Sequence, residues 1–245
     1  MNRILTNIQL IRQRMIQACT LADRNPAEVK LLLATKTIAP ASIITALEAG
    51  ETLIGENKVQ ELKEKSTALS HIPHQSHFIG HLQTNKVNDV IRYVSCIQSV
   101  DRISLAEKLQ KRLEYEDRSI DIFLQFNTSF EASKFGADPS TATTFAKGIA
   151  QFDRLRIKGL MTIGLFSADP LQVRKCFRLL KNIQHQILNS GIPAHELSMG
   201  MSNDLETAIE EGATIIRVGT RHFRHPPLSR QLLLERKTMI GSSFL

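Results

Sequence analysis

The chain has 245 residues, of which 42% are hydrophobic and 22% are charged, so it carries enough apolar side chains for a folded core and is not expected to be disordered. Its formal net charge of +7 favours an anionic partner. No run of basic residues stands out and only 5% of the residues are aromatic, so nucleic-acid binding is not indicated. A small phosphorylated ligand explains the charge equally well.

The cysteines and the N-terminal segment predict a cytoplasmic protein. Cys19, Cys96 and Cys176 are far apart in the sequence and form no CxxC pair, as expected for reduced thiols. Arginine and glutamine interrupt the apolar residues at the N-terminus, which therefore does not resemble a signal peptide. No apolar run is long enough to cross a bilayer, so no membrane partner is predicted.

Predicted helices and strands alternate along the chain. Ile4, Ile8, Ile11 and Met15 recur at steps of three and four residues and predict an extra helix over about residues 3–23. Eight short apolar segments predict strands at residues 31–37, 52–57, 77–82, 96–101, 120–127, 157–164, 196–202 and 215–220. Segments between the strands have helical periodicity, for example residues 42–49, 59–69, 103–115, 141–151, 171–188 and 205–211.

This alternation predicts an α/β fold, a single (β/α)₈ barrel of the TIM type preceded by the extra helix. A doubly wound sheet produces a similar pattern, usually with fewer strands, and remains the alternative. Gly50 and Gly212 follow two of the predicted helices and fit C-terminal caps. No linker or repeat divides the chain, so residues 1–245 are predicted to form one domain with a C-terminal tail over about residues 226–245.

Polar residues at the carboxyl ends of the strands are the candidates for function, because barrels of this kind carry their active sites there. Lys36 falls within the first predicted strand. Burial in that strand would favour the neutral amine that a Schiff base needs. A lysine that reaches the rim of the barrel or pairs with a carboxylate explains the same pattern.

The last two predicted strands end in small residues that suit a phosphate. Ser202 and Gly219 lie at these ends, and glycine lets backbone amides approach an anion. Asn203 and Glu206 have the spacing of a capping box and predict a helix N-terminus beside Ser202, where a phosphate is favoured. Ordinary strand-to-helix turns have the same composition and remain the alternative.

Arg217 precedes Gly219 by two residues, so both are predicted to lie on the same strand face, towards the barrel interior. A guanidinium there needs an acceptor, and either a carboxylate or a pyridine nitrogen qualifies. An arginine on a pyridine nitrogen discourages its protonation and makes the ring a weak electron sink. Together with Lys36 and the phosphate-like turns, Arg217 suggests pyridoxal 5′-phosphate (PLP).

Short motifs spread between about residues 30 and 223 point to a known family. They are LATKT at 33–37, GENKVQE at 55–61, HFIGHLQTNK at 77–86, SVD at 99–101, SKFG at 133–136, GLMTI at 159–163, LSMGMS at 197–202 and RVGT at 217–220. Each motif is weak alone, but the ordered set is specific. The chain resembles the pyridoxal phosphate homeostasis protein family, single-domain relatives of the N-terminal barrel of alanine racemase.

The resemblance implies a fold-type III barrel that binds PLP covalently, with Lys36 as the Schiff-base lysine and Arg217 near the pyridine nitrogen. The other residues implied by position are Ser202, Gly219 and Thr220 at the phosphate and Asn57, Met161 and Met199 along the cofactor. Members of this family resemble carriers or regulators of vitamin B6 without an established reaction. We therefore expect a role in intracellular PLP homeostasis, with amino acids or PLP-dependent apo-enzymes as further partners.

Two residues depart from the family's pattern. Thr35 stands where the family usually has a small residue, which is a tolerable change. Arg224 stands where the family usually has glycine, which affects the loop beside the phosphate but leaves Lys36 untouched.

An amino-acid racemase is the enzymatic alternative, because the related barrel performs that chemistry. Two-base racemisation needs a second acid or base opposite the lysine, usually a tyrosine from another domain. The chain has two tyrosines, Tyr93 and Tyr115, and both fall in predicted helical segments. Negligible racemase activity is therefore predicted, and a monomer is expected because the racemase-type dimer depends on the missing domain.

Metal and nucleic-acid partners are not predicted either. His77 and His81 on one strand would be about 13 Å apart, too far to share one ion. Lys108, Lys111 and Arg112 form a basic cluster, but neighbouring glutamates interrupt it, which is typical of a solvated helix face.

Overall fold

The computed structural model describes residues 3–219, so Thr220, Arg224 and the predicted tail at 226–245 lie outside the described residues. Within residues 3–219, eight parallel strands close into a barrel in their order along the chain. The strands are β1 (Lys30–Ala34), β2 (Leu53–Glu56), β3 (Gln75–Phe78), β4 (Cys96–Val100), β5 (Ile120–Gln125), β6 (Leu155–Met161), β7 (Glu196–Ser198) and β8 (Ile215–Gly219). β8 closes the barrel by pairing with β1. The predicted (β/α)₈ barrel is confirmed, and the doubly wound sheet is excluded.

Helices lie on the outside of the barrel; the first precedes β1, and each of the others connects two consecutive strands. They are α1 (Arg3–Leu21), α2 (Pro40–Glu48), α3 (Val59–Leu69), α4 (Val87–Val90), α5 (Ile103–Tyr115), α6 (Ala142–Ile149), α7 (Pro170–Asn189) and α8 (Leu205–Glu210). The sequence pattern does not predict α4, because a single turn is too short to show helical periodicity. The two glycine caps are confirmed, since Gly50 and Gly212 follow α2 and α8 with a left-handed φ of 97° each.

The extra helix α1 lies on the side of the barrel, against α2 and α8. Its apolar stripe is buried, including Ile8, Ile11 and Met15, as the periodicity predicts. Arg14 forms two hydrogen bonds with the Glu206 carboxylate, of 2.7 and 2.9 Å. Because a two-pronged guanidinium–carboxylate contact also fixes orientation, this pair sets how α1 docks on α8.

Two layers of apolar side chains surround the strands. A smaller cluster fills the barrel interior and contains Leu32, Leu53, Cys96, Phe123, Met161 and Ile215. A larger cluster lies between the strands and the helices. Burial on both faces explains why the strand segments are almost continuously apolar in the sequence. Within residues 3–219, no helix has the length and hydropathy needed to span a bilayer.

Several strands end earlier than the apolar pattern predicts, including β6, which ends at Met161 rather than at residue 164, and three others bear on the site. β1 ends at Ala34 rather than at residue 37, β3 at Phe78 rather than at residue 82, and β7 at Ser198 rather than at residue 202. Thr37 (φ 62°) and Gly200 (φ 89°) have left-handed backbone conformations that an extended strand cannot contain. The segments that carry Lys36 and Ser202 are therefore turns beyond the strands.

Candidate functional site

A cleft of about 580 Å³ opens at the carboxyl ends of the strands. Four of the predicted site residues line it, namely Lys36, Asn57, Ser202 and Gly219, which follow or end four different strands. Phe166, in the segment after β6, also lines the cleft although its side chain is 86% exposed. Phe166 cannot be identified from the sequence, because a lone aromatic residue in a loop has no pattern that indicates a site.

Lys36 is exposed in the turn between β1 and α2. The prediction that it lies buried within the first strand is wrong, because the chain leaves the strand after Ala34. The alternative in which the lysine reaches the rim of the barrel describes its position. The tertiary structure thus presents this amine to the cleft without burying it in the sheet.

A cluster of three charged side chains, which the sequence did not predict, contacts the turn that carries Lys36. Lys65 Nζ is 2.6 Å from Glu56 Oε1 and 2.7 Å from Glu61 Oε2. Burial raises the pKa of Glu56, although the hydrogen bonds that it accepts from Lys65 and Thr35 act to lower it. Partial burial also acts to raise the pKa of Glu61, but the hydrogen bonds from Lys65 and from the Thr37 N–H, together with the positive charges of Lys65 and Lys58, outweigh it, so the pKa of Glu61 is lowered. The i,i+4 spacing of Glu61 and Lys65 is the only sequence signal, and it is equally typical of exposed helix pairs.

Arg217 lies buried inside the barrel with 5% of its surface exposed. Its Nη1 donates to Ser198 Oγ and its Nη2 to the carbonyl oxygen of Thr162, both at 2.7 Å. Burial lowers the pKa of Arg217 to about 10, while the charge of Asp204 acts in the opposite direction. Among residues 3–219, no carboxylate lies within ion-pair distance of this guanidinium, so its direct partners there are neutral oxygens.

A chain of hydrogen bonds continues from Arg217 across the barrel. Ser198 Oγ donates to Gln98 Oε1 at 2.6 Å, and Gln98 Nε2 lies 2.8 Å from His77 Nδ1. Because the amide nitrogen of Gln98 can only donate, His77 Nδ1 accepts and carries no proton. Burial lowers the pKa of His77 to about 4. His77 is thus a neutral hydrogen-bond acceptor of the barrel interior.

His81 does not share a strand with His77, because β3 ends at Phe78. Its ring stacks on Phe135, with the ring centroids 3.6 Å apart. Across residues 3–219, no three histidine, cysteine, aspartate or glutamate side chains are grouped as a metal site requires.

Ser202 and Gly219 lie at neighbouring positions on the rim of the cleft. Ser202 is buried in the turn between β7 and α8, and Gly219 ends β8. A Cβ placed on Gly219 would meet no atom of residues 3–219 within 4 Å, so within this part of the chain its backbone borders open space. This geometry leaves the backbone of Gly219 accessible to a ligand in the cleft.

The predicted capping box beside Ser202 is wrong. α8 begins at Leu205, so Asp204 and not Asn203 occupies the N-cap position, and Glu206 pairs with α1 instead of capping α8. Asp204 Oδ1 accepts a hydrogen bond from the Met201 N–H. Burial raises the pKa of Asp204, although the hydrogen bond from Met201 acts to lower it. Asp204 thereby closes the turn that carries Ser202.

Asn57 follows β2 at the wall of the cleft. Its Oδ1 is buried and has no hydrogen-bond partner among residues 3–219. Gly80, in the segment after β3, approaches Asn57 so closely that a Cβ on Gly80 would lie 2.2 Å from the Asn57 carbonyl oxygen. The absence of a side chain at Gly80 therefore allows Asn57 to occupy its place at the cleft.

The two predicted methionines occupy different layers. Met161 lies in the barrel interior, where it packs in the same cluster as Phe123. Met199 is fully buried in the larger cluster between strands and helices, together with Leu197. The structure thus brings Met161, but not Met199, into the interior.

Both tyrosines lie away from the cleft. Tyr115 is the last residue of α5, and Tyr93 lies in a turn before β4 rather than in a helix. Both positions precede a strand and so belong to the amino-terminal end of the barrel, whereas the cleft is at the carboxyl ends.

Comparison with known proteins shows close relatives over most of the chain. Residues 1–226 match the family described as alanine racemase, N-terminal domain. A pyridoxal phosphate homeostasis protein of Aquifex aeolicus is 38% identical over 216 residues, which cover 87% of this chain and 94% of the relative. A protein of unknown function from Bifidobacterium adolescentis has a crystal structure with a TM-score of 0.84 and 37% identity, covering 89% of this chain and 93% of its own. PipY of Synechococcus elongatus with PLP bound has a TM-score of 0.76 and 31% identity, covering 87% of this chain and 99% of its own.

Proposed function

The chain belongs to the pyridoxal phosphate homeostasis protein family, and we propose that it is a PLP-binding carrier or regulator of vitamin B6 that holds PLP covalently on Lys36. The observation that carries the proposal is that Lys36 lines the same cleft as Asn57, Ser202 and Gly219. The PLP-bound structure of PipY, at 31% identity, supports the same ligand.

The residues present fit PLP. The buried Asn57 Oδ1, without a partner among the described residues, offers an acceptor for a hydroxyl or ammonium group. Arg217 uses two of its five N–H groups for Ser198 and Thr162 in the hydrogen bonds described above, so it has further donors for a ring nitrogen. The proposed phosphate ligands are Ser202, Gly219 and Thr220, and the proposed lining residues are Asn57, Met161 and Met199, of which Met199 acts from the core behind the strand.

Lys36 and Arg217 have distinct roles in this proposal. When bound, PLP supplies an aldehyde carbon to which a deprotonated lysine amine forms a C=N bond, while the aldehyde oxygen leaves as water. Lys36 provides that amine. Arg217 keeps its charge at neutral pH even with its pKa lowered to about 10, so it donates a hydrogen bond and does not take a proton. A ring nitrogen facing Arg217 is thus held unprotonated.

The exposure of Lys36 supports a carrier role. A group held on an exposed lysine at the mouth of a barrel can be reached by another amine in solution, such as an amino acid or a lysine of an apo-enzyme. Chemistry that creates a carbanion is better served by a site that excludes water. The open position of Lys36 therefore favours transfer of the cofactor over catalysis.

Racemisation is the weaker candidate. It requires a second acid or base on the face of the cofactor opposite Lys36. Tyr93 and Tyr115 lie at the other end of the barrel, so neither can provide it. We expect negligible turnover of D- or L-alanine by the purified protein.

We further propose that the protein is a cytoplasmic monomer with one domain. Cys19, Cys96 and Cys176 are buried as free thiols, which supports a reducing compartment. The barrel closes on itself through the pairing of β8 with β1, which supports folding as one unit.

The proposal is tested with the full-length protein incubated with PLP. We expect a visible absorbance band that disappears on borohydride reduction, and a reduced pyridoxyl adduct on the peptide that contains Lys36. Lys36→Ala should lose both the band and the adduct. Lys58→Ala is the matched control, because Lys58 lines the same cleft, and it should keep both. A wild-type protein that stays colourless and unmodified, or an adduct on Lys58 instead, would contradict the proposal.

A further inference from the structure

We propose that Lys65 is a positioning residue for Lys36, because it holds the turn that presents the Lys36 amine to the cleft, together with Glu56 and Glu61. This inference rests on the proposed function, in which Lys36 captures PLP. It assigns a role to a buried lysine that has no direct place in the cleft.

The contacts bracket Lys36 on both sides in the sequence. Before it, Lys65 Nζ donates to the carbonyl oxygen of Thr35 at 2.8 Å. After it, the backbone N–H of Thr37 donates to Glu61 Oε2 at 2.7 Å. Glu61 and Lys65 are themselves paired on α3, so one helix fixes the backbone on either side of Lys36.

A further contact ties the turn to β2. The Thr35 hydroxyl donates to Glu56 Oε1 at 2.5 Å, and the same oxygen accepts from Lys65. Thr35 thus contacts the cluster through both its carbonyl oxygen and its side chain.

Lys65 is saturated and is not a second nucleophile. An ammonium group has three protons, and Lys65 Nζ has three acceptors, at Thr35, Glu56 and Glu61. Its side chain is 9% exposed, so it is not available to ligands in solution. The geometry suits a fixed cation that orders its surroundings.

The turn needs such support. It lies beyond the end of β1, and Thr37 has a left-handed φ of 62°, which is unfavourable for a β-branched residue. Buried ion pairs add little net stability compared with apolar packing, but they hold a specific geometry. A fixed backbone on both sides of Lys36 lowers the entropy that its amine loses when it meets an aldehyde.

The test separates positioning of Lys36 from general binding by using two ligands. PLP can be captured by Lys36, whereas pyridoxine 5′-phosphate has the same ring and phosphate but no aldehyde. We expect Lys65→Met/Glu56→Gln, which removes the cation and its buried counter-charge together, to slow capture of PLP by on the order of tenfold. Its affinity for pyridoxine 5′-phosphate should stay within about twofold of wild type, because Lys65 does not line the cleft.

Glu61 provides a second pair of variants that leave the buried lysine in place. Glu61→Ala removes the acceptor of the Thr37 N–H and should slow capture, whereas Glu61→Gln keeps an acceptor oxygen and should restore most of the rate. Glu64→Ala is the matched control, because Glu64 is an exposed glutamate on the same helix whose partner is Gln60. It should capture PLP at the wild-type rate.

Amide hydrogen exchange of the ligand-free protein distinguishes a failure of the proposed function from a failure of this inference. The Thr37 amide should be protected in the wild type and lose protection in Glu61→Ala. If the wild type fails to capture PLP but shows this protection, the proposed function fails, while the contacts of Glu61 and Lys65 with the Lys36 turn remain a structural feature. The inference would be overturned if the double variant and Glu61→Ala both captured PLP at the wild-type rate. It would also be overturned if the rate of PLP capture and the affinity for pyridoxine 5′-phosphate fell in parallel.

Discussion

Arg217 donates a 2.7 Å hydrogen bond to Ser198 Oγ inside the barrel, across neighbouring strands β8 and β7. Ser198 in turn donates to Gln98 Oε1 at 2.6 Å, on the opposite side of the interior. The serine hydroxyl therefore accepts from a cation and donates to an amide at the same time. This arrangement fixes the orientation of the guanidinium before any ligand arrives.

Ser198→Ala should destabilise the protein by about 2–4 kcal/mol, because it leaves a buried guanidinium N–H and a buried amide oxygen without that partner. Ser99 offers a matched control. It is also fully buried, but its Oγ has no hydrogen-bond partner among residues 3–219. Ser99→Ala should be neutral or slightly stabilising in urea unfolding. Equal effects of the two substitutions would contradict the importance of the Ser198 contacts.

His77 should make stability depend on pH below neutrality. Its pKa is lowered by burial from 6.5 to about 4, so between these values the unfolded chain binds a proton that the folded protein does not. Stability is then highest above pH 6.5 and falls with acidification, by about 1.4 kcal/mol per pH unit within this window. Urea unfolding at pH values above and inside the window measures the slope.

His77→Gln keeps an acceptor for Gln98 but does not titrate, so it should show a smaller loss of stability on acidification than the wild type. If the free energy of unfolding fell equally with acidification in both proteins, a group other than His77 would dominate the pH dependence of stability.

Gly80→Ala should disturb the cleft through Asn57. The new Cβ would lie 2.2 Å from the Asn57 carbonyl oxygen and 2.7 Å from its Cα, so the Asn57 backbone has to move. We expect a destabilisation of about 1–3 kcal/mol from overpacking and weaker binding of pyridoxine 5′-phosphate. Gly191→Ala is the control, with a φ of 86° and no atom of the described residues within 4 Å of the new Cβ. It should cost about 1–2 kcal/mol from backbone strain alone and leave binding unchanged.

Phe166→Ala should weaken ligand binding without weakening the fold. The ring is 86% exposed yet borders the cleft, so its removal should change the free energy of unfolding by less than about 0.5 kcal/mol. Loss of one aromatic contact should reduce the affinity for PLP by about twofold to tenfold. Leu21→Ala, at an exposed position at the end of α1, should alter neither quantity. Unchanged PLP affinity in Phe166→Ala would remove Phe166 from the site.

The architecture follows from local sequence patterns. The alternation of apolar segments with helical periodicity specifies which residues are buried and on which face, and that local information is sufficient to predict eight strands closed into a barrel. Glycines such as Gly50 could be placed at helix ends because their left-handed conformation is a local requirement. Arg217 could be assigned to the interior because side chains alternate along a strand.

The assembly of the site depends on contacts between residues that are far apart in the sequence, so it emerges only from the folded protein. Lys36 is exposed beyond β1, although an apolar run is compatible with a longer strand, because the chain turns at Thr37. Lys65 meets Thr35 across 30 positions, and Ser198 meets Gln98 across 100. Such contacts depend on the register in which the strands of the barrel pair. Local periodicity in the sequence does not specify that register, so it does not indicate which distant polar groups meet.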